Sequence, residues 1–177
     1  MPAYLVDTNV ISAAAPSRPA PPALVAWMDR HSASLFLSVV TVADIEDGIA
    51  KSRREGATRK SADLMAWLET VLHLYDDRVL AFDAPTARIA GAMSDFARGQ
   101  GHAPGLADII VAATARRHSL TILSRNLRHM EPLGVAVIDP FVKLPSSRTA
   151  APRPRASSTR ARIVYDVTST LEQFERE

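Results

Sequence analysis

The sequence predicts an α/β protein, a three-layer sandwich with a central, mostly parallel sheet flanked by helices. Apolar runs of strand length alternate with longer stretches in which apolar residues recur at helical spacing, which is typical of parallel sheets whose strands are joined by helices. The run at 35–40 is apolar on both faces, as expected for a strand covered on both sides. The chain has 177 residues, of which 47% are hydrophobic, enough for one domain with a substantial core.

The first half of the chain is expected to hold two strands and four helices. In order, they are a strand at 3–7, a brief helix capped by Thr8 or Asn9 and running through Ala13, a helix from Pro22 to about His31, a strand at 35–40, a helix capped by Thr41 and a helix at 57–75. Pro21 and Pro22 favour a helix start, because the fixed φ of proline suits the first turn. The last helix is expected to bury one apolar stripe, made of Leu64, Met65, Leu68, Val71 and Leu72.

The second half repeats the alternation of strand and helix. The expected elements are a strand at 79–82, a helix at 84–99 capped by Asp83, a loop at 99–105, a helix at 106–117, and strands at 120–124 and 135–138. In the helix at 106–117, one side is expected to face the core through Leu106, Ile109, Ile110 and Ala113.

Composition limits where the protein acts and what it binds. The chain has no cysteine, which excludes disulfides and thiolate metal sites. No apolar run approaches the ~18 residues that a membrane span needs, and Asp7 comes too early for a secretory signal. A cytoplasmic protein without a membrane segment is expected. The net charge is +2, too small for general attraction to nucleic acid.

The C-terminal segment differs in composition from the rest of the chain. Residues 146–177 hold six arginines and four acids, whereas residues 1–145 hold 15 basic and 15 acidic residues. The stretch at 146–162 is rich in Pro, Ser, Ala and Arg and has no apolar periodicity, which is typical of an extended linker. We therefore expect a globular domain at 1–145, followed by a basic arm and a short C-terminal helix at 146–177.

Three aspartates are the candidate site residues, and each has a purely structural alternative. Asp7 follows the first strand and could be only a turn or cap residue. Asp44 precedes Glu46 and Asp47, which together could form a solvated face. Asp108 lies in the first turn of an apolar helix, where any acid is favoured by the helix dipole. Because sites in parallel sheets form beyond the carboxyl ends of the strands, the acids could also meet in one site.

Histidine can act as a catalytic base or as a metal ligand. None of the five histidines shows the paired spacing of a metal site; they are His31, His73, His102, His118 and His129. We expect surface or helix-end positions for all of them.

Four segments, taken together, carry a family resemblance. They are residues 4–10, 38–49, 106–115 and 120–126. In order and spacing they resemble the four motif blocks of PIN-domain nucleases, and most closely the VapC toxins of bacterial VapBC toxin–antitoxin pairs. The resemblance covers roughly residues 3–142. It implies a PIN-like fold, an endoribonuclease activity and a toxin role.

The resemblance also implies site residues. The first and third acids of the family fall on Asp7 and Asp108, which would hold Mg²⁺ or Mn²⁺. The second is usually Glu in the family, but here Asp44 stands at that position, one methylene shorter. The supporting polar positions match Thr8, Asn9, Ser124 and Asn126. The last of these is uncharged, although many relatives carry Asp there.

Partners also follow from the resemblance. The substrate would be RNA, with tRNA as the commonest target class, and the protein would form a homodimer and bind a VapB-like antitoxin. The tail at 146–177 resembles the C-terminal segment of such an antitoxin, which lays an arm over the toxin and puts an arginine into the carboxylate pocket. Here Arg153 and Arg155 are the candidate inhibitory residues.

Two other functions are compatible with the sequence. The chain could be a self-inhibited toxin–antitoxin fusion or a non-catalytic binding module, and the basic tail motivates both ideas. It could also be a phosphatase with an aspartyl nucleophile at Asp7. That chemistry normally uses a second Asp two residues later, where this chain has Asn9.

Overall fold

The computed structural model of the protein describes residues 2–16 and 20–145. Its five strands are β1 (Tyr4–Val6), β2 (Leu35–Ser38), β3 (Val79–Leu80), β4 (Thr121–Leu123) and β5 (Val137–Ile138). The seven α-helices of this part are α1 (Thr8–Ile11), α2 (Pro22–Arg30), α3 (Val39–Arg54), α4 (Thr58–Tyr75), α5 (Ala84–Gly99), α6 (Leu106–Arg117) and α7 (Leu127–Met130). None of them is both long and apolar enough to cross a membrane.

The strands form one parallel sheet in the order β3-β2-β1-β4-β5. In the sheet, β2 and β3 follow on one side of β1, whereas β4 and β5 lie on the other side of β1. The strand order therefore reverses between β1 and β4, which is where open α/β sheets form their binding crevices. Asp7 follows β1 directly and Ser124 follows β4 directly, so both lie at this point of the sheet.

Two hydrophobic clusters cover the two faces of the sheet. Tyr4 and Val6 of β1 belong to one cluster, together with residues of α1 to α4. Leu5, between them, belongs to the other cluster, together with residues of α5 and α6. Successive side chains of a strand point to opposite faces, so a helical layer lies on each side of the sheet. The predicted three-layer sandwich is confirmed, and the sheet is parallel throughout.

Several predicted details were wrong, and polar contacts explain two of them. The first helix is capped by Asp7, whose side chain accepts a hydrogen bond from the Thr8 amide, rather than by Thr8 or Asn9. The predicted strand at 35–40 ends at Ser38, because the Ser38 hydroxyl caps α3 by accepting from the Val40 amide. Thr41 is therefore inside the helix, fully buried, and its hydroxyl has no hydrogen-bond partner within the part of the chain described.

Two predicted burial patterns also differ. Met65 of α4 is 39% exposed and Leu106 of α6 is 71% exposed, although both were expected to face the core. All seven residues from Ile109 to Ala115 are buried, because α6 contacts α5, α3, α7 and the strands β1 and β4. From Ile109 to Ala115 the helix is enclosed on all sides, so the expected one-sided stripe does not apply to this part of it.

Candidate active site

Asp7 is the innermost acid of the site. It is 8% exposed, and its amide donates a hydrogen bond to the Leu123 carbonyl of β4 at 3.0 Å. Its Oδ1 accepts from the Thr8 amide at 2.8 Å. The end of β1 and the start of α1 therefore hold the carboxylate in one orientation.

A small polar network surrounds the other oxygen of Asp7. The Ser124 hydroxyl donates to Asp7 Oδ2 at 2.6 Å, and Asn9 Nδ2 donates to the same oxygen at 2.7 Å. Asn9 Oδ1 in turn accepts from the Arg125 amide at 3.0 Å. The Ser124 oxygen accepts from the Asn126 amide at 2.9 Å. These contacts join the segment after β1 to the segment after β4.

The pKa of Asp7 is raised above its usual value. Burial is the main cause, because desolvation disfavours the charged carboxylate, and the negative charges of Asp108 and Asp44 raise the pKa further. The hydrogen bonds from Ser124 and from the Thr8 amide act in the opposite direction. Burial and the neighbouring negative charges therefore disfavour the charged form of Asp7. A bound cation would favour that charged form.

Asp44 lies at the exposed rim of the site. Its Oδ2 accepts a hydrogen bond from the Thr8 hydroxyl at 2.9 Å, which links α3 to α1. Gly48, one turn along α3, lines the same cavity, and a Cβ added there would meet no atom within 4 Å. The missing side chain therefore leaves space in the cavity, and no close helix contact requires this glycine. Glu46 and Asp47 are exposed.

Asp108, in the first turn of α6, is paired with two side chains from the segment that follows β4. Asn126 Nδ2 lies 3.4 Å from Asp108 Oδ1. His129 Nδ1 lies 3.2 Å from Asp108 Oδ2 and 3.0 Å from Asn126 Nδ2. A protonated Nδ1 donates to Asp108, whereas an unprotonated Nδ1 accepts from Asn126.

His129 is the site neighbour that the sequence did not reveal. The sequence predicts a surface or helix-end position for it, and it does lie on the short helix α7 with its side chain 43% exposed. Its contact with Asp108 depends on the sheet order that brings α6 and α7 together. The one local signal is its spacing of three residues from Asn126, which places both side chains on the same side of a helical turn.

Six of the seven predicted polar site residues line one cavity of about 480 Å³; they are Asp7, Thr8, Asn9, Asp44, Asp108 and Asn126. The seventh, Ser124, is fully buried and contacts Asp7 from inside. Arg153 and Arg155, with the rest of the segment at 146–177, lie outside the described residues.

The oxygen atoms around the cavity suit a divalent cation. Within 2–16 and 20–145, no three His, Asp or Glu side chains stand close enough to form a metal site by themselves. The three carboxylates nevertheless line the same cavity, and two of them raise the pKa of the third by repulsion. Mg²⁺ and Mn²⁺ prefer oxygen ligands, and Mg²⁺ usually keeps several waters. The residues therefore fit a hard cation held partly through water.

Comparison with known proteins points to one family. The PIN domain model matches residues 4–131. Toxin FitB of Neisseria gonorrhoeae is 34% identical over 142 residues, which covers 77% of this chain and 97% of FitB. VapC ribonuclease Y4jK of Sinorhizobium fredii is 33% identical over 142 residues, which covers 77% of this chain and 96% of that protein.

Solved structures agree with the sequence matches. The crystal structure of FitAcB from Neisseria gonorrhoeae has a TM-score of 0.69 at 37% identity and covers 78% of this chain and 98% of the matched chain. The DNA-bound VapBC structure from Salmonella typhimurium has a TM-score of 0.65 at 20% identity, covers 78% of this chain and 98% of that chain, and supports the fold alone.

The buried hydroxyl of Ser124 is expected to stabilise the fold through the Asp7 network. Ser124→Ala removes a donor to the carboxylate and leaves the Asn126 amide without its acceptor, so it should lower the free energy of unfolding by about 1–3 kcal/mol. Ser61 is a matched control, because it is also buried and its hydroxyl bonds only the Thr58 carbonyl of its own helix. Urea unfolding of Ser124→Ala that matches Ser61→Ala would contradict a structural role for the network.

Proposed function

Because the chain belongs to the PIN domain family, we propose that it is a divalent-cation-dependent endoribonuclease that acts as the toxin of a type II toxin–antitoxin pair. Relatives at 33% and 38% identity are named ribonucleases, and one at 34% is named a toxin. The observation that carries the proposal is the cavity at the strand-order reversal, which Asp7, Asp44 and Asp108 all line. We propose that the chain cleaves RNA in the cytoplasm.

Asp7 and Asp108 are the proposed ligands of Mg²⁺ or Mn²⁺. When bound, such an ion neutralises charge on the RNA phosphate and makes water more acidic. The hydrogen bonds of Ser124, Asn9 and the Thr8 amide hold Asp7 in place. Asn126 and His129 do the same for Asp108. Because their orientation is fixed beforehand, little ordering is needed when the RNA arrives.

Asp44 is proposed to complete the acidic cavity and to orient the attacking water. It is exposed and held by the Thr8 hydroxyl, so one carboxylate oxygen, Oδ1, stays available. Asp44 stands where the family usually has the longer Glu. The Thr8 contact compensates in part, because it holds the shorter side chain towards the end of β1.

The contacts of Asp7 and Asn9 support an aspartyl phosphatase less well than they support a nuclease. Both oxygens of Asp7 already accept hydrogen bonds, which reduces their strength as nucleophiles. Asn9 donates an amide N–H to Asp7 and has no acidic proton to give to a leaving group.

The proposed partners follow from the relatives. Solved structures of FitAB and VapBC are complexes, and some are bound to DNA. We propose that this chain likewise binds a VapB-like antitoxin, forms a homodimer and cuts RNA, with tRNA as the target class to test first.

The nuclease proposal predicts that RNA cleavage needs both a divalent cation and the carboxylates of Asp7 and Asp108. Asp7→Asn and Asp108→Asn should each lower kcat/KM at least about 100-fold, because a neutral amide holds a hard cation poorly. Asp95→Asn, an exposed acid of α5 outside the cavity, should keep full activity. The assay is Mg²⁺- or Mn²⁺-dependent cleavage of tRNA and single-stranded RNA, with and without EDTA.

Three results would contradict this proposal. Cleavage by purified Asp7→Asn at the rate of the parent chain would exclude a role for the Asp7 carboxylate in the reaction. Cleavage that persists in EDTA would exclude the cation. Hydrolysis of a small phosphomonoester without RNA cleavage would favour the phosphatase.

We also propose that residues 1–145 form the nuclease domain and that residues 146–177 are an antitoxin-like arm. Support for the boundary comes from Trp27, whose buried Nε1–H donates to the Pro145 carbonyl at 3.2 Å. Arg153 and Arg155 follow Pro145 by 8 and 10 residues, which spans up to about 26–36 Å when extended, and we propose that one of them reaches the carboxylates of its own chain or of a dimer partner. Such a pairing would compete with the cation.

Removal of the arm tests this inhibition. A chain ending at Ser147 keeps the Trp27 contact intact, so it should fold and cleave RNA at least about 10-fold faster than the full chain at low cation concentration, because no arginine competes for the carboxylates. Arg153→Gln/Arg155→Gln in the full chain should give the same gain, and Arg148→Gln is the matched control. Equal rates for all chains would contradict inhibition by the arm.

A further inference from the structure

The carboxylate cavity has a second wall, and α4 supplies it. Lys60, Leu64 and Trp67 all line the cavity that Asp7, Asp44 and Asp108 line. They are spaced four and three residues apart, so they lie on one face of the helix. That face offers a cation at one end and an aromatic ring at the other.

The basic end of this face continues into another cavity. Lys60 and Leu64 also line a neighbouring cavity of about 560 Å³, whose other charged lining residues are Arg59 and Asp63. The chain from 51 to 60 has five basic residues and one acid, although residues 1–145 as a whole are neutral. Among the described residues, neither Arg59 nor Lys60 has an acidic partner within ion-pair distance.

The aromatic end is partly exposed. Trp67 packs against the core cluster on one side and lines both the carboxylate cavity and an apolar groove of about 400 Å³. The other tryptophan, Trp27, is 4% exposed and lines none of these cavities. Structural packing explains the buried part of Trp67, and the accessible part offers a surface on which a nucleobase can stack.

From this arrangement we propose that the α4 face is a nucleotide subsite, in which Lys60 with Arg59 binds an RNA phosphate next to the scissile one and Trp67 stacks on a base. The inference rests on the proposed function, because it needs RNA in the carboxylate cavity. Negative carboxylates repel an RNA strand, so the strand needs positive charge beside them. Single-stranded RNA is bound through stacking on aromatic rings together with backbone contacts.

The test for stacking is a scan of a short single-stranded RNA that the full chain cleaves, with one abasic nucleotide at each position in turn. One abasic position should lower kcat/KM for the parent chain roughly 5- to 150-fold, the range expected for one stacked base. In Trp67→Leu, cleavage of the intact RNA should fall by the same factor, and the abasic position should no longer matter. Trp67→Phe should restore part of the effect, and urea unfolding checks that both variants fold.

The test for the phosphate contact is salt dependence of RNA binding, measured in an Asp108→Asn background so that the RNA stays intact. Lys60→Gln should reduce the slope of log affinity against log salt by about 0.7, the value for one phosphate contact on a single strand. Arg88→Gln, an exposed arginine of α5 outside these cavities, should leave the slope unchanged. Trp67→Leu should weaken RNA binding without changing the slope of log affinity against log salt.

The outcomes separate this inference from the nuclease proposal. If the parent chain does not cleave RNA, the proposed function fails first. If it cleaves, but no abasic position depends on Trp67 and Lys60→Gln keeps the full slope, the subsite is overturned. In a Trp27→Phe chain, whose one remaining tryptophan is Trp67, fluorescence that changes on deletion of residues 148–177, and not on addition of RNA, would identify the arm as the occupant and would also overturn the subsite.

Discussion

The structure depends on the buried carboxyl group of Asp7 and on the hydrogen bonds that hold it. Asp7 has only 8% of its surface exposed, and burial raises its pKa. A buried charge is tolerated only with hydrogen bonds or a counter-ion. Three donors reach its two oxygens, and they come from the two segments that leave β1 and β4. The same contacts that make the charge tolerable therefore join the two central strands at their carboxyl ends.

The fold explains why the acids meet although they lie far apart in sequence. Because every strand is parallel, all carboxyl ends point to one edge of the sheet. The return of the chain to β4 opens a crevice beside β1, and α3 and α6 bring Asp44 and Asp108 to it. The crevice gathers negative charge in a molecule whose main body is neutral. If the proposed function holds, an RNA substrate needs both a cation and positive charge beside the carboxylates, and Lys60 of α4 lines the same cavity.

The sequence predicted the layers and the cavity residues well, because both depend on local patterns. Strand-end acids and apolar runs are visible without coordinates. Ser124 was expected beside the site, but only the sheet order shows that it lies beneath Asp7. His129 and the α4 face were missed, because their neighbours come from distant segments. The helix cap was predicted at Thr41, but Ser38 caps the helix three residues earlier. The β-branched residues at 39–42 favour strands, so the sequence suggested that the strand continued.

The most direct test of this account is the cation dependence of stability. At pH 7, Mg²⁺ at about 100 times its dissociation constant should raise the free energy of unfolding of the full chain by about 2.7 kcal/mol, because the ion binds the folded chain and not the unfolded one. Asp7→Asn should lose this gain and Asp95→Asn should keep it. Equal stabilisation of the Asp7→Asn chain and its parent would contradict the claim that this carboxylate holds the cation.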